Sequence, residues 1–310
     1  MNVTPPARAP RLGFLPVLAL LLVAQLGPAG VIDTAQAQVP PPPVRYVILV
    51  SFDGLRADAL RSVWPAALRQ QGAASWTAQT VLPSVTIPAH VSMITGVDPE
   101  VHGIRFNEWT PDLGRLTLPS IFTRVRGAGG GVVVLVAKPK LRFLVPEEMP
   151  AEWLPYPRYR QAAVLAAAAE RFRDIRPALL FAHVADPDDA GHLSGWMSPR
   201  YLSVVQEIPG VLERLLDQVR GAGAWEETLV IVTADHGGHG RLHGTSRPDD
   251  VTIPWVALGG AARGGVMLED SIRVYDTAPT VLWALGIPIP GGWQGRPVRA
   301  ALEAAVPVRR

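Results

Sequence analysis

Cysteine is absent from this chain of 310 residues. Its absence excludes disulfide cross-links, thiolate metal ligands and a cysteine nucleophile. A protein-bound metal would therefore be held by histidine and carboxylate side chains. No block of Lys or Arg stands out either, and the formal net charge is only +2. We therefore expect no dedicated nucleic-acid-binding surface.

The first 37 residues have the layout of a secretory signal peptide. Arg8 and Arg11 precede an apolar run over 12–26, and Ala35-Gln36-Ala37 is an A-x-A cleavage site. The alternative is an uncleaved membrane anchor, but the run is short for a membrane span. We predict cleavage after Ala37, a periplasmic or secreted protein, and no stable membrane span after cleavage.

The remaining chain is predicted to form a short spacer followed by one domain. Residues 38–44 contain four consecutive prolines, which favour an extended conformation. Residues 45–310 show no internal repeat and no second linker. Hydrophobic residues make up 48% of the chain, enough for a sizeable core.

Continuous apolar runs in this domain alternate with helical patterns. Runs without polar alternation are typical of parallel strands that helices cover on both faces. The predicted strands are 46–52, 131–137, 178–184, 228–233 and 253–258. The predicted helices are 57–71, 88–95, 118–127, 158–174, 198–220 and 276–285, the fifth of them split at Pro209-Gly210. The pattern predicts an α/β fold with a doubly wound, mostly parallel sheet and helices on both faces.

Aspartate and histidine residues follow three of these strands. An aspartate after a single strand is usually a turn or helix cap, but the carboxyl ends of neighbouring strands meet at one edge of a sheet. The candidate ligands are Asp53, Asp188, His192, Asp235, His236 and His243. Six oxygen and nitrogen ligands are enough for two metal sites with open positions, which suits metal-assisted phosphoryl chemistry.

Thr86 is the candidate nucleophile. It lies directly before Ile87-Pro88, and proline favours the first turn of a helix. One interpretation is that Thr86 simply caps this helix. The other is that the helix N-terminus stabilises an alkoxide and a bound phosphate, with metal coordination activating the hydroxyl.

The chain resembles the type I phosphodiesterase/nucleotide pyrophosphatase family of the alkaline phosphatase superfamily. The resemblance covers nearly the whole chain after the spacer, and its motifs occur in family order. They are VILVSFDGLR, LPSVTIPAHVSMITGVDPEVHGI, PDDAGH, TADHGGHG, HG followed by IPW, and DTAPTVLWALGIP. The resemblance implies an alkaline-phosphatase-like catalytic domain that hydrolyses a small phosphate ester such as a nucleotide.

The same resemblance assigns roles to individual residues. Thr86 matches the nucleophile and a metal ligand, and Asn107 matches the asparagine that contacts a phosphoryl oxygen. One metal set matches Asp53, Asp235 and His236, and the other matches Asp188, His192 and His243. Two divalent ions are implied, with Zn²⁺ as the expected metal and Mn²⁺ or Mg²⁺ as alternatives. Thr86 would attack phosphorus, and water would then hydrolyse the phospho-threonine.

Two positions leave alternatives open. His239 lies four residues before His243, which we prefer because of its distance to Ile253-Pro254-Trp255. Lys138 follows the strand at 131–137, where its segment resembles the lysine-bearing segment of phosphate-irrepressible alkaline phosphatases. Lys138 there would neutralise the extra charge of a phosphate monoester, or it is a solvated loop lysine.

Other functions are compatible with parts of the pattern. A phosphomonoesterase on the same core is the main alternative to the diesterase, and a metal-dependent mutase or a non-catalytic metal- and phosphate-binding protein are less favoured. A sulfatase is disfavoured because Thr86-Ile87-Pro88-Ala89-His90 has neither the cysteine or serine nor the arginine of the C/S-x-P-x-R motif.

Overall fold

All five predicted strands are present in the computed structural model, which describes Met1 and residues 44–302. The predicted signal peptide and spacer lie almost entirely outside the described residues. The strands are β1 (Tyr46–Phe52), β2 (Gly72–Gln79), β3 (Val132–Val136), β4 (Glu152–Trp153), β5 (Leu179–Val184), β6 (Thr228–Ala234), β7 (Thr252–Leu258) and β8 (Val266–Met267).

Ten α-helices connect and cover these strands in the described part of the chain. They are α1 (Ala57–Val63), α2 (Ala66–Gln70), α3 (Thr86–Thr95), α4 (Pro99–His102), α5 (Ile121–Gly127), α6 (Gln161–Ile175), α7 (Asp186–Ser194), α8 (Pro199–Gly221), α9 (Pro248–Val251) and α10 (Thr277–Ala284). Short 3₁₀-helices occur at Pro111–Leu113, Pro139–Leu144, Trp225–Glu227, Val274–Asp276 and Arg299–Ala301.

The strands form one eight-stranded mixed sheet in the order β4-β3-β5-β1-β6-β7-β2-β8. Strand β1 pairs in parallel with β5 and β6, and β3 pairs in parallel with β4 and β5. Strand β7 runs antiparallel to both of its neighbours, β6 and β2. The predicted doubly wound, mostly parallel α/β fold is therefore confirmed.

Two groups of helices bury this sheet. Helices α1, α6 and α7 pack against α8, whereas α3 and α5 pack against α10. The central strands are consequently buried along nearly their whole length, as their continuous apolar sequences require. The described residues 44–302 belong to one compact unit. None of the described helices is long and apolar enough to cross a membrane.

Two predictions about where a helix is interrupted are wrong, and both involve proline. The helix predicted over 57–71 is two helices, because α1 ends at Val63 and Pro65 is the N-cap of α2. The predicted break at Pro209-Gly210 is wrong, because α8 continues through it as one helix of 23 residues. Its buried face packs against three other helices, and this packing outweighs the local cost of the proline.

Candidate metal centre and nucleophile

The three central strands bring the candidate ligands to one edge of the sheet. In the order β5-β1-β6, residues Val184, Phe52 and Ala234 lie side by side at the strand ends. Asp53 follows β1 directly, and Asp235 follows β6 directly. Residues that are far apart in the sequence, such as Asp53 and Asp235, therefore lie close together at this edge, as expected for a parallel sheet.

All six candidate ligands meet in this region. Ligand-type atoms of Asp188, His192 and His243 lie within 4.8 Å of one another, and so do those of Asp53, Asp188 and His236. The first group is one of the two predicted ligand sets. In the other set, Asp235 Oδ2 lies 3.4 Å from His236 Nε2. The two predicted sets are thus adjacent, with Asp188 close to both.

The carboxylates of Asp53 and Asp188 each use one oxygen for hydrogen bonds. Asp53 Oδ2 accepts a hydrogen bond from His183 Nε2 at 3.0 Å and lies 2.7 Å from Lys138 Nζ. Asp188 Oδ2 also pairs with Lys138. Among the described residues, neither Oδ1 atom has a hydrogen-bond partner, and each lies 3.4 Å from the Nε2 of a candidate ligand histidine.

Asp235 shows the same division between its two oxygens. Its Oδ1 accepts the backbone N–H groups of Gly54 at 3.1 Å and His236 at 3.0 Å. Its Oδ2 and the Nε2 of His236 are both buried without a hydrogen-bond partner in residues 44–302. Unpartnered buried polar atoms are costly and rare, so a cluster of them facing one another indicates a site suited to a bound ligand.

The candidate ligand histidines are all oriented in one way. Their Nδ1 atoms contact backbone carbonyl oxygens: His192 that of Arg241 at 3.1 Å, His236 that of Gly237 at 2.8 Å, and His243 that of Ser84 at 3.0 Å. Because a carbonyl only accepts, Nδ1 carries a proton in each ring, and Nε2 is the nitrogen left to bind a metal. Metal-bound histidines are held in this way by their second ring nitrogen. The residues present therefore fit divalent metal ions.

The shifts in pKa follow from how charges are distributed around these carboxylates. Burial is the largest influence on Asp53 and raises its pKa, but the charge of Lys138, the hydrogen bond from His183 and the nearby His236 bring the pKa well below the ordinary value. The pKa of Asp235 is raised, because burial and the nearby Asp53 charge outweigh the attraction of His236. Lys138 is therefore the cation that keeps Asp53 ionised.

Thr86 is the first residue of α3 and not its N-cap. Val85 occupies the N-cap position with extended dihedral angles (φ −133°, ψ 159°), and no side-chain hydrogen bond caps this end. Thr86 is only 1% exposed. The capping interpretation therefore does not account for Thr86, which lies at the positive end of a helix of ten residues.

Two histidine contacts connect the backbone around Thr86 to the two ligand sets. The ring of His90 lies with Nδ1 2.8 Å from the Thr86 carbonyl oxygen and 3.4 Å from Asp235 Oδ2. On the other side, the carbonyl oxygen of Ser84 accepts the Nδ1–H of His243 at 3.0 Å. The segment that carries Thr86 is thus tied to both groups of candidate ligands.

Asn107 contacts the same helix end. Its Oδ1 accepts the backbone N–H of Ile87 at 3.1 Å. Because a backbone N–H can only donate, the amide oxygen faces the helix and the NH₂ group remains available as a donor. Phe106 packs edge-on against Phe143 at 5.1 Å between ring centroids, which joins this loop to the 3₁₀-helix that follows Lys138.

The remaining buried histidines support this region without a free nitrogen for a metal. Nδ1 of His183 accepts the Ala137 N–H at 3.3 Å, Nε2 of His90 lies 2.9 Å from the Ser51 hydroxyl, and His102 lies between Ser92 Oγ and the Ile104 N–H, each at 3.0 Å. Their other contacts use the second nitrogen of His183 and His90, as described above. We infer structural roles for all three.

Trp196 supports the site and was not predicted from the sequence. Its ring lies 5.1 Å from that of His192 and 5.7 Å from that of His243, measured between centroids. This packing needs Gly191 and Gly238, where a Cβ atom would lie 2.5 and 2.3 Å from the indole. Gly191 and Gly238 are the features of the sequence that could have indicated this packing, because a glycine beside a ligand motif allows a large side chain to approach closely.

Gly54 is a second supporting residue, directly after Asp53. Its φ of +68° is unfavourable for other residues, and a Cβ atom would lie 2.9 Å from the Cα of Asp188. Its carbonyl oxygen accepts hydrogen bonds from Trp196 Nε1 at 2.8 Å and Tyr201 Oη at 3.0 Å. These contacts fix the turn that aligns Asp53 with Asp188.

His239 does not join the candidate ligands. Its Nδ1 lies 2.7 Å from Asp250 Oδ1, and Asp250 is fully buried. Burial and the neighbouring His236 lower the pKa of His243 to about 4, so the His243 ring is neutral near pH 7 and its Nε2 is free to bind a metal. The structure thus favours His243 over His239 as the third member of the set with Asp188 and His192.

Metal analysis of two histidine variants distinguishes these positions. We expect His243→Ala to lose metal from the Asp188 set, since three ligands become two, and His239→Ala to keep the wild-type metal content. The measurement is metal per polypeptide after dialysis against trace zinc, with melting temperature as the folding control. Greater metal loss in His239→Ala than in His243→Ala would contradict the assignment.

Comparison with known proteins identifies the family. The sequence profile described as "Type I phosphodiesterase / nucleotide pyrophosphatase" matches residues 47–128 and 129–241. The chain therefore belongs to the type I phosphodiesterase/nucleotide pyrophosphatase family. Mouse ectonucleotide pyrophosphatase/phosphodiesterase family member 3 is 25% identical over 240 residues, which cover 66% of this chain and 26% of that protein. The curated relatives it matches are much longer, and the chain spans about a quarter to under half of the length of several of them.

Solved structures show the same fold. One of them is an inactive variant of murine ectonucleotide pyrophosphatase/phosphodiesterase 5, solved in complex with AMP. It superposes with a TM-score of 0.71 at 18% identity, and the match covers 84% of this chain and 100% of that chain. A mutant of alkaline phosphatase PafA superposes with a TM-score of 0.69 at 13% identity, covering 86% and 100%. The predicted alkaline-phosphatase-like fold is confirmed.

Proposed function

We propose that the chain is an exported, metal-dependent hydrolase of phosphoric esters, of the phosphodiesterase/nucleotide pyrophosphatase type. Residues 1–37 would direct export, and residues 45–310 would form the catalytic domain after the spacer. The observation that carries the proposal is the joint arrangement at one sheet edge: unpartnered carboxylate and imidazole atoms face one another beside Thr86 at the start of α3.

The two ligand sets would each hold one divalent ion, most simply zinc. Asp53, Asp235 and His236 would form the set nearer Thr86, with the Thr86 hydroxyl as an added ligand, and Asp188, His192 and His243 would form the other. Ions bound there would supply Lewis acidity to the attacking and leaving oxygens of the phosphoryl group.

Groups of the protein itself would orient the phosphoryl group and stabilise the negative charge that develops on it. Thr86 supplies the hydroxyl that attacks phosphorus, and its burial excludes competing water from that oxygen. The helix N-terminus favours the negative charge that develops on the hydroxyl and on the phosphoryl oxygens. The NH₂ group of Asn107 donates to a non-bridging oxygen from a direction fixed by its bond to Ile87. A phospho-threonine is the expected intermediate, which water then hydrolyses.

A nucleotide is the favoured class of substrate. The family and the relative with AMP in its solved structure support this choice.

A phosphomonoesterase is the second candidate, because of Lys138. Its ammonium group has three N–H donors and contacts two carboxylates, those of Asp53 and Asp188. The third N–H is free to bind a phosphoryl oxygen. A cation at this position would favour the dianion of a monoester over the monoanion of a diester.

Hydrolysis of paired substrates tests the proposal. We expect metal-loaded protein to hydrolyse an aryl phosphate diester faster than the matched monoester, and exhaustive chelation to remove both activities until zinc is restored. A lower monoester-to-diester ratio in Lys138→Ala would support the second candidate, with Lys140→Ala as the control from the same segment. Metal-loaded protein that is inert on a broad ester panel would contradict an enzymatic function.

A further inference from the structure

Lys138 connects two parts of the site that reach it from different strands. It follows β3, the neighbour of β5 in the sheet. Its ammonium group lies 2.7 Å from Asp53 Oδ2 and also pairs with Asp188 Oδ2. Asp53 and Asp188 belong to the two different predicted ligand sets. The Lys138 side chain therefore contacts one carboxylate from each predicted ligand set without the help of a metal ion.

The bridge leaves the proposed metal-binding atoms free. Lys138 contacts only the Oδ2 atoms, whereas the Oδ1 atoms point toward histidines. Asp53 Oδ1 lies 3.4 Å from His236 Nε2, and Asp188 Oδ1 lies 3.4 Å from His192 Nε2. The ammonium group and the metal ions would thus use opposite oxygens of the same carboxylates.

The surroundings make this ammonium group important to the fold. The side chains of Asp53 and Asp188 are 0% and 4% exposed, and that of Lys138 is 16% exposed. Burial lowers the pKa of Lys138, but the two carboxylates more than compensate and raise it above its ordinary value. Without this cation, two buried carboxylates would repel each other with little solvent screening.

We propose that Lys138 is a built-in counter-charge that holds Asp53 and Asp188 together in the metal-free protein, so that the two ligand sets are assembled before metal binds. The proposal rests on the metal centre of the proposed function. It gives Lys138 a positioning role that is separate from any contact with substrate. Metal ions would take over part of the charge compensation once bound.

Thermal stability with and without metal tests this role. We expect Lys138→Met, which keeps most of the aliphatic chain, to lower the melting temperature in chelator by about 6–15 °C. Zinc should recover more than half of that loss, so the zinc-induced shift is larger in the variant than in the wild type. Lys140→Met, two residues away in the 3₁₀-helix that follows Lys138, should melt like the wild type.

A double variant separates charge from packing. Lys138→Met combined with Asp188→Asn removes one of the two like charges, and it should recover at least half of the loss seen in chelator. The proposal is overturned if Lys138→Met melts like Lys140→Met in chelator, or if the double variant is no more stable than Lys138→Met. These comparisons need neither metal nor turnover. A wild-type protein that shows no shift with zinc would instead overturn the metal centre of the proposed function.

Discussion

Replacing Thr86 by alanine is expected to reduce turnover by about 10⁴-fold or more while leaving the metal content unchanged. The substitution removes the hydroxyl of the first residue of α3. Water would then have to attack phosphorus without a side chain that holds the attacking oxygen in place. The metal should remain because the other side chains of both ligand sets are untouched. The measurements are single-turnover kinetics on an aryl diester and metal per polypeptide.

Two further variants make this prediction specific. Thr86→Ser keeps a hydroxyl at the same backbone position and should retain measurable turnover. Thr95→Ala, at the far end of the same helix, removes a hydroxyl that donates to the Val91 carbonyl at 2.7 Å, and it should leave turnover close to wild type. A phosphorylated peptide containing Thr86 should be recovered from acid-quenched wild-type reactions. Near-normal turnover in Thr86→Ala would overturn the assignment of the nucleophile.

The sheet could be predicted largely because its central strands are buried on both faces. Such strands need largely apolar sequence, and β1, β5 and β6 have it apart from single polar positions such as Ser51 and His183. Strand β2 was missed because GAASWTAQ has small and polar residues in place of an apolar run. Its strand conformation depends on pairing with β7, which lies far away in the sequence. The sequence of β2 alone does not predict its pairing with β7.

The residues that form the candidate site could also be predicted from the sequence, but the contacts between them could not. Polar residues directly after buried strands predict a shared edge, and the structure brings all six candidate ligands together there. The helix α7 was missed because DPDDAGHLS has acidic residues and a glycine where a helical apolar pattern would be expected. The pairing of Lys138 with Asp53 and Asp188 depends on the strand order, which no local motif specifies.

Replacing Asn107 is expected to cause the second large loss of activity. Its amide performs two separable functions, since Oδ1 accepts the Ile87 N–H and the NH₂ group is free to donate to a phosphoryl oxygen. Asn107→Ala removes both, and we expect kcat to fall by about 10²–10³-fold, the usual cost of losing one donor to developing negative charge. Steady-state kinetics on the preferred ester measure this loss.

Asn107→Asp distinguishes the donor from the helix contact. The aspartate keeps an oxygen for the Ile87 N–H, so the melting temperature should stay near that of the wild type, but it loses the donor and adds a negative charge that repels phosphate. Its kcat should therefore fall at least as far as that of Asn107→Ala. Glu108→Ala, at the exposed neighbouring position, should leave kcat unchanged. If Asn107→Asp were as active as wild type, Asn107 would serve only to hold the start of α3, and the phosphoryl oxygen would need a different donor.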